Sequence, residues 1–163
     1  VSGVPAVRRA TAGDLPALLP LVAAFCAVDG HPYEEALVRG AVLPLLADDG
    51  PGLVLVLEQR SGLTGYAVLT WSWSLESGGR DCILDELYVE QRDRGLGALL
   101  LAAAMDHAAE HGARVCFLET EAPNARVRRF YARHGFAVED SVWMRRELPG
   151  VSGRSGGSPS AAS

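Results

Sequence analysis

Cysteine is scarce in this chain, and its few copies stand far apart. Cys26, Cys82 and Cys116 are three in number, with no CxxC pair and no histidine cluster beside them. Neither a disulfide framework nor a zinc site follows from that spacing, so reduced, mostly buried thiols and no metal are expected. A surplus of positive charge is also missing. Fifteen Lys+Arg against 20 Asp+Glu leave a formal net charge of −5, which argues against the basic face that broad nucleic-acid binding requires. No apolar run reads as approaching the ~18 residues of a membrane span. The opening Val-Ser-Gly-Val-Pro-Ala-Val-Arg-Arg lacks the basic-then-apolar order of a signal peptide. A cytoplasmic protein with neither nucleic-acid nor membrane partners is the expectation.

What the chain does have is enough apolar sequence for one domain in its 163 residues, and a clear order of elements. Residues 4–10 read as a strand. Thr11 and Asp14 read as a capped helix start, with Leu15, Leu18, Leu19, Val22 and Phe25 on one face. Gly30-His31-Pro32 breaks that helix, and a second one is expected from near Pro32, with Pro44 kinking or dividing it. Leu53–Glu58 and Gly65–Trp73 form a hairpin, and Cys82–Val89 is a further strand. A helix from Gly95 to Gly112, a strand over Arg114–Glu119, a short helix over Asn124–His134 and a last strand over Val142–Glu147 complete the domain. The order β-α-α-β-β-β-α-β-α-β implies an α/β fold whose central sheet is part antiparallel and part parallel, with helices on both faces. Residues 1–148 make this single domain. Residues 149–163 read as a disordered Gly/Ser-rich tail.

The most informative stretch is Leu84-Asp85-Glu86-Leu87-Tyr88-Val89, followed closely by Arg92-Asp93-Arg94-Gly95-Leu96-Gly97. A strand carrying two carboxylates runs into a basic glycine turn that opens a helix. Such a turn offers unpaired amides and the positive end of a helix dipole, both suited to phosphate. It is not a nucleotide P-loop, since no Gly-Lys-Ser/Thr follows, and it lacks the third glycine of a dinucleotide fingerprint. Gly95 and Gly97 serve either close ligand approach or tight helix–strand packing. Adjacent strand residues point to opposite faces, so only one of Asp85 and Glu86 reaches a given cleft unless a bulge re-aims them.

Three blocks make the chain resemble the GCN5-related N-acetyltransferase (GNAT) superfamily over residues 4–148. They are Leu87-Tyr88-Val89 followed by Arg92-x-x-Gly95-x-Gly97, then Asn124 with Tyr131 and Gly135-Phe136, and finally the order of the elements. The resemblance implies acetyl-CoA as co-substrate. The main chain of Leu87, Tyr88 and Val89 would pair with its pantetheine arm. The amides of Arg94, Gly95, Leu96, Gly97, Ala98 and Leu99 would hold its pyrophosphate, and Asn124 would face the pantetheine or simply cap its helix. Tyr131 would protonate the leaving thiolate, and the Val89 amide would hold the developing oxyanion. The resemblance also implies homodimerisation.

An amine with a pKa near ~10 is mostly protonated at neutral pH and must lose a proton before attacking a thioester. Glu86 is expected to be the base or ammonium-binding group with Asp85 as helper, or else both are charges on a solvated sheet face. Glu119 either lines the acceptor pocket or pairs with Arg126 or Arg128. Trp71 and Trp73 share a face and either wall the acceptor site or pack in the core. The expected activity is acetyl transfer to a primary amine of a small cationic molecule, by direct attack with both substrates bound. Acetylation of a protein lysine or N-terminus, and acyl-CoA sensing without turnover, are the alternatives.

Overall fold

A computed structural model of the chain describes residues 4–121 and 123–148, so the expected tail lies outside the described residues. Strand β1 (Ala6–Arg9) is followed by a 3-10 turn and helices α1 (Leu15–Asp29) and α2 (Glu35–Ala47). The meander β2 (Gly52–Gln59), β3 (Gly62–Ser74) and β4 (Gly79–Val89) comes next. Helix α3 (Leu96–Glu110), strand β5 (Cys116–Phe117) and helix α4 (Ala125–Arg133) complete the regular elements. The five strands lie side by side in sequence order, antiparallel throughout except for the parallel β4–β5 pair.

Local chemistry explains the entry into the helical layer. The Asp14 carboxylate accepts hydrogen bonds from the Thr11 N–H and hydroxyl at 2.8 and 2.9 Å, and from the Arg8 guanidinium at 2.9 and 2.8 Å. The sheet then separates two cores. Val54, Val56, Tyr66 and Val68 pack against α1 and α2, while Leu53, Leu55, Ala67, Leu69, Cys82 and Leu84 pack against α3. β2 is buried from Gly52 through Leu57, which is why it reads as an unbroken apolar run.

Several expectations need correction. The second helix starts at Glu35 rather than Pro32, and Pro44, in its last turn, does not divide it. Ala12–Asp29 is in fact apolar enough to meet a span's length and composition, with a mean hydropathy of 1.5. In the fold, Leu15, Leu18, Leu19, Leu21 and Val22 of this segment are core residues on the sheet. The fifth strand shrinks from six residues to two. No strand forms over 142–147: Val142, Trp143 and Met144 are exposed, and with β5 so short there is no ladder for them to join.

Candidate active site

Where β4 ends, the chain turns through Asp93 and Gly95, both at positive φ (63° and 74°), and enters α3 with Gly95 as its N-cap. Open space lies around a Cβ built at Gly95, so the glycine serves the backbone conformation rather than packing. Asp93 is held by Arg126 of α4 at 2.7 and 2.8 Å; Arg126 is therefore not Glu119's partner. The Leu99 N–H donates to the Gly95 carbonyl at 3.0 Å, the first bond of the helix, and this removes Leu99 from the expected set of ligand amides. Leu96, Gly97 and Ala98 have no acceptor within the helix, so their amides stand ready for an anion. Gly97 lies over the Phe130 ring, where an added Cβ would come to 3.6 Å, an ordinary contact.

The second part of the site is a strand edge. Only Cys82 and Ile83 of β4 pair with β5, so from Leu84 onward that edge of β4 has no partner strand among the described residues. Backbone groups along a strand alternate sides. The Glu90 N–H donates to Thr64 of β3 at 2.9 Å, and the Tyr88 carbonyl lies 2.7 Å from a Cβ built at Gly65 of β3. Leu87 and Val89 therefore turn their N–H and C=O groups to the open edge, and Tyr88 does not. The Tyr88 side chain instead joins Phe25 and Tyr66, at ring-centroid distances of 6.3 and 6.1 Å.

A bulge decides where the carboxylates go. Leu69 pairs with Leu84 while Val68 pairs with Glu86, which leaves Asp85 as the extra residue on β4. Leu84 and Leu87 consequently face the α3 side, and Glu86 and Tyr88 face the α1–α2 side. There the Tyr66 hydroxyl, wholly buried, donates to Glu86 Oε2 at 2.5 Å. Burial pushes the Glu86 carboxyl up and the Tyr66 bond partly offsets this, while Asp85 and Asp29 add repulsion and His31 a favourable charge. Burial likewise raises the Asp85 carboxyl, although the residue as a whole is exposed. His31 Nε2 sits 3.0 Å from Asp29, and the Glu121 carboxylate brings all three groups within 4.8 Å of one another. Tyr66, Asp29 and the Glu121 contact escape a reading of the sequence, because only strand register and the α1–α2 break bring them beside Glu86.

Tyr131 lies on the opposite side of the sheet. Its ring makes edge contacts with Phe130 and Phe136 at 5.1 and 5.5 Å. Burial, with a smaller push from Cys116, takes its phenol up to about 12, so the hydroxyl keeps its proton at neutral pH. Asn124 caps α4 by accepting the Val127 N–H at 3.2 Å, which leaves its NH2 free of that bond. The tryptophans do not wall this site. Trp71 stacks on His111 at 5.2 Å and donates to the Asp49 carbonyl, and Trp73 is exposed. Glu119 is exposed, and Arg128 donates to the Glu121 carbonyl at 3.0 Å.

Free amides behind a glycine turn, beside an unpartnered strand edge, fit a diphosphate carrying an amide-bearing arm. Comparison with known proteins agrees. The model of the acetyltransferase (GNAT) family matches residues 21–136. The chain is 30% identical to the uncharacterized N-acetyltransferase YhfO of Bacillus subtilis (strain 168), over 80% of its own length and 88% of the relative's. It is 33% identical to a mycothiol acetyltransferase of Acidimicrobium ferrooxidans, over 63% of this chain but only 34% of that longer protein. An integron cassette protein from the mobile metagenome of Cole Harbour Salt Marsh superposes with a TM-score of 0.78 at 27% identity, covering 88% of this chain and 91% of that one.

Proposed function

Because the chain belongs to the GNAT acetyltransferase family, we propose that it moves acetyl from acetyl-CoA to a primary amine of a small cationic molecule, both substrates being bound together. Acetyl transfer with acetyl-CoA as co-substrate comes with the family; the acceptor and the residue roles are the proposal. One observation carries it: a half-buried carboxylate, Glu86, and a half-buried phenol, Tyr131, lie on opposite faces of the sheet, flanking the free edge of β4.

Acetyl-CoA supplies an acyl group already activated as a thioester. Leu96, Gly97 and Ala98 hold its diphosphate with their amides, and Leu87 and Val89 hold its arm through the main chain. The acceptor enters from the α1–α2 face, where Asp85, Glu86, Asp29 and Glu121 favour an ammonium group. Glu86, its pKa raised by burial, is a stronger base than a solvated carboxylate and takes the amine's proton. Tyr131 stands on the far face as a neutral hydroxyl and donates to the departing sulfur. Attack from one side and departure on the other need no covalent enzyme intermediate.

The test is thiol release from acetyl-CoA against polyamines, aminoglycosides, amino-acid amides and short peptides. Turnover of cationic small amines is expected, with Glu86→Gln and Tyr131→Phe each lowering kcat by about 100-fold. Turnover of peptides alone would instead assign a protein substrate. CoA binding with no turnover of any amine would assign a sensor. Variants that turn over as fast as the parent would overturn the residue roles.

A further inference from the structure

Two thiols face each other where the sheet begins to open. Cys82 of β4 and Cys116 of β5 are direct Cα partners in the parallel ladder, and both are free. Both side chains stand in the core on the α3 side, where the Cys116 thiol donates to the Phe117 carbonyl at 3.7 Å. Adjacent strands run ~4.8 Å apart, inside the window of about 4.4–6.8 Å between Cα atoms that a disulfide spans. Cys82 is wholly buried. Cys116 is half-buried and lines a surface groove of about 440 Å3 with Met105, Phe117 and Phe136. An oxidant in solvent therefore meets Cys116 first. The neighbouring Cys82 thiol, aided by the Leu84 N–H, also pulls the Cys116 thiol down toward its reactive thiolate form, against the opposing effect of burial.

We propose that Cys82 and Cys116 are a reversible oxidation site, at which a hydroperoxide forms an intrachain disulfide that ties β5 to β4 and weakens CoA binding. The Cys116 thiolate attacks one peroxide oxygen, the O–O bond breaks, and a sulfenic acid and water (or an alcohol) result. Cys82 Sγ then attacks the sulfenic sulfur. The S–O bond breaks, and the departing hydroxide leaves as water with the Cys82 proton. Two thiols are oxidised to one disulfide while the peroxide is reduced, and a dithiol reverses the change.

The coupling to CoA follows from position, and it rests on the functional reading above. The usual Cα separation across a disulfide is ~5.5–6 Å, wider than the ~4.8 Å strand spacing, so the bond shifts the two strands apart at this pair. β5 is two residues long and is held to β4 by the Cys82–Cys116 and Ile83–Phe117 pairs and by main-chain bonds from Arg114 N–H to the Arg80 carbonyl and from Cys82 N–H to the Val115 carbonyl, so β5 is what moves. The free edge of β4 begins at the next residue, Leu84. Tyr131 lies near enough to Cys116 to feel its charge.

The full chain is treated with hydrogen peroxide, free thiols are alkylated, and peptides are mapped without reduction. A Cys82–Cys116 linked peptide lacking two hydrogen masses is expected, with Cys26 still alkylated and dithiothreitol restoring both thiols. C116S and C82A, checked for native circular dichroism, should each abolish the link. The CoA-induced rise in Tm should shrink in oxidised protein, recover on reduction, and be insensitive to peroxide in C116S. Oxidation of Cys116 to sulfinic acid beside a free Cys82 would overturn the proposal, as would cross-linking only between copies. A linked peptide with an undiminished CoA response would overturn the coupling. Absence of any CoA response in reduced protein would instead count against the functional reading, and the peptide map alone would then decide the disulfide.

Discussion

Glu86 carries opposite demands in the proposed role, because the burial that would make it a useful base also makes its charge costly. Its pKa is raised in the fold, so its contribution to stability is fully present below the unfolded pKa and is lost as pH rises through the folded value. Once ionised, the group therefore works against folding, and Glu86→Gln should leave Tm equal or higher while kcat falls. Calorimetry and thiol release on the same sample check this, and a clear drop in Tm would contradict it. Tyr66→Phe isolates the hydrogen bond at 2.5 Å. Without that donor the carboxylate is less stabilised and its pKa climbs further, so the acidic limb of the kcat/KM profile should move to higher pH. An unmoved limb would mean that Glu86 is not the titrating base. The two glycines of the turn separate in the same way. Gly95→Ala puts a Cβ on a residue at φ 74°, a strain of roughly 1–2 kcal/mol, and should lower Tm by several degrees. Gly97→Ala meets only ordinary contact with Phe130, so Tm should hold while KM for acetyl-CoA rises, if close approach of the ligand is what Gly97 provides.

At the scale of elements, the bulge in β4 shows what can be read from the residues and what cannot. The strand, the glycine turn, the Asn124 cap and the helical face of α1 all follow from local chemistry, and all are present. The face taken by Glu86 depends on one unpaired residue, Asp85, and bulges leave no local signature once both neighbours are acidic or apolar. The shortness of β5 is equally hidden, because Arg114–Glu119 has the composition of a longer strand. Its ladder with β4 ends at Ile83–Phe117, and the loss of the expected last strand follows from the same shortness. Trp71 takes the core alternative, against the α3-side cluster, but its polar contacts are hidden in the sequence. Its partners, Asp49 and His111, come from segments 22 and 40 residues away in sequence. A bulge bends its strand, which suggests that Asp85 helps to hold the slot open beyond placing Glu86. Deleting Asp85 would leave Leu84 and Glu86 on their present faces and straighten the ladder. The deletion should fold with native circular dichroism yet lose the CoA-induced thermal shift. A normal CoA response would show that the bulge does not shape the slot.

For the molecule as a whole, the two substrates meet one field with opposite signs. The chain carries a formal net charge of −5, and the proposed acceptor face adds Asp29, Glu86 and Glu121 around His31, with Asp85 near enough to act on Glu86. A cationic amine is drawn toward that face, whereas a CoA polyanion must approach an acidic protein and is helped only locally, by the α3 amides and the exposed Arg92 and Arg94. Salt screens both effects within ~8 Å at physiological ionic strength. Raising salt should therefore raise KM for a cationic acceptor and leave KM for acetyl-CoA flat or lower. Asp29→Asn with Glu121→Gln should flatten the acceptor's salt dependence while sparing kcat, since neither residue touches the reacting atoms in this reading. A salt dependence of the same sign for both substrates would remove the electrostatic case for a cationic acceptor. A neutral amine used as efficiently as a cation, with no response to salt, would do the same and move the search for the acceptor to the apolar walls that Phe25, Tyr33 and Tyr88 contribute to the α1–α2 side.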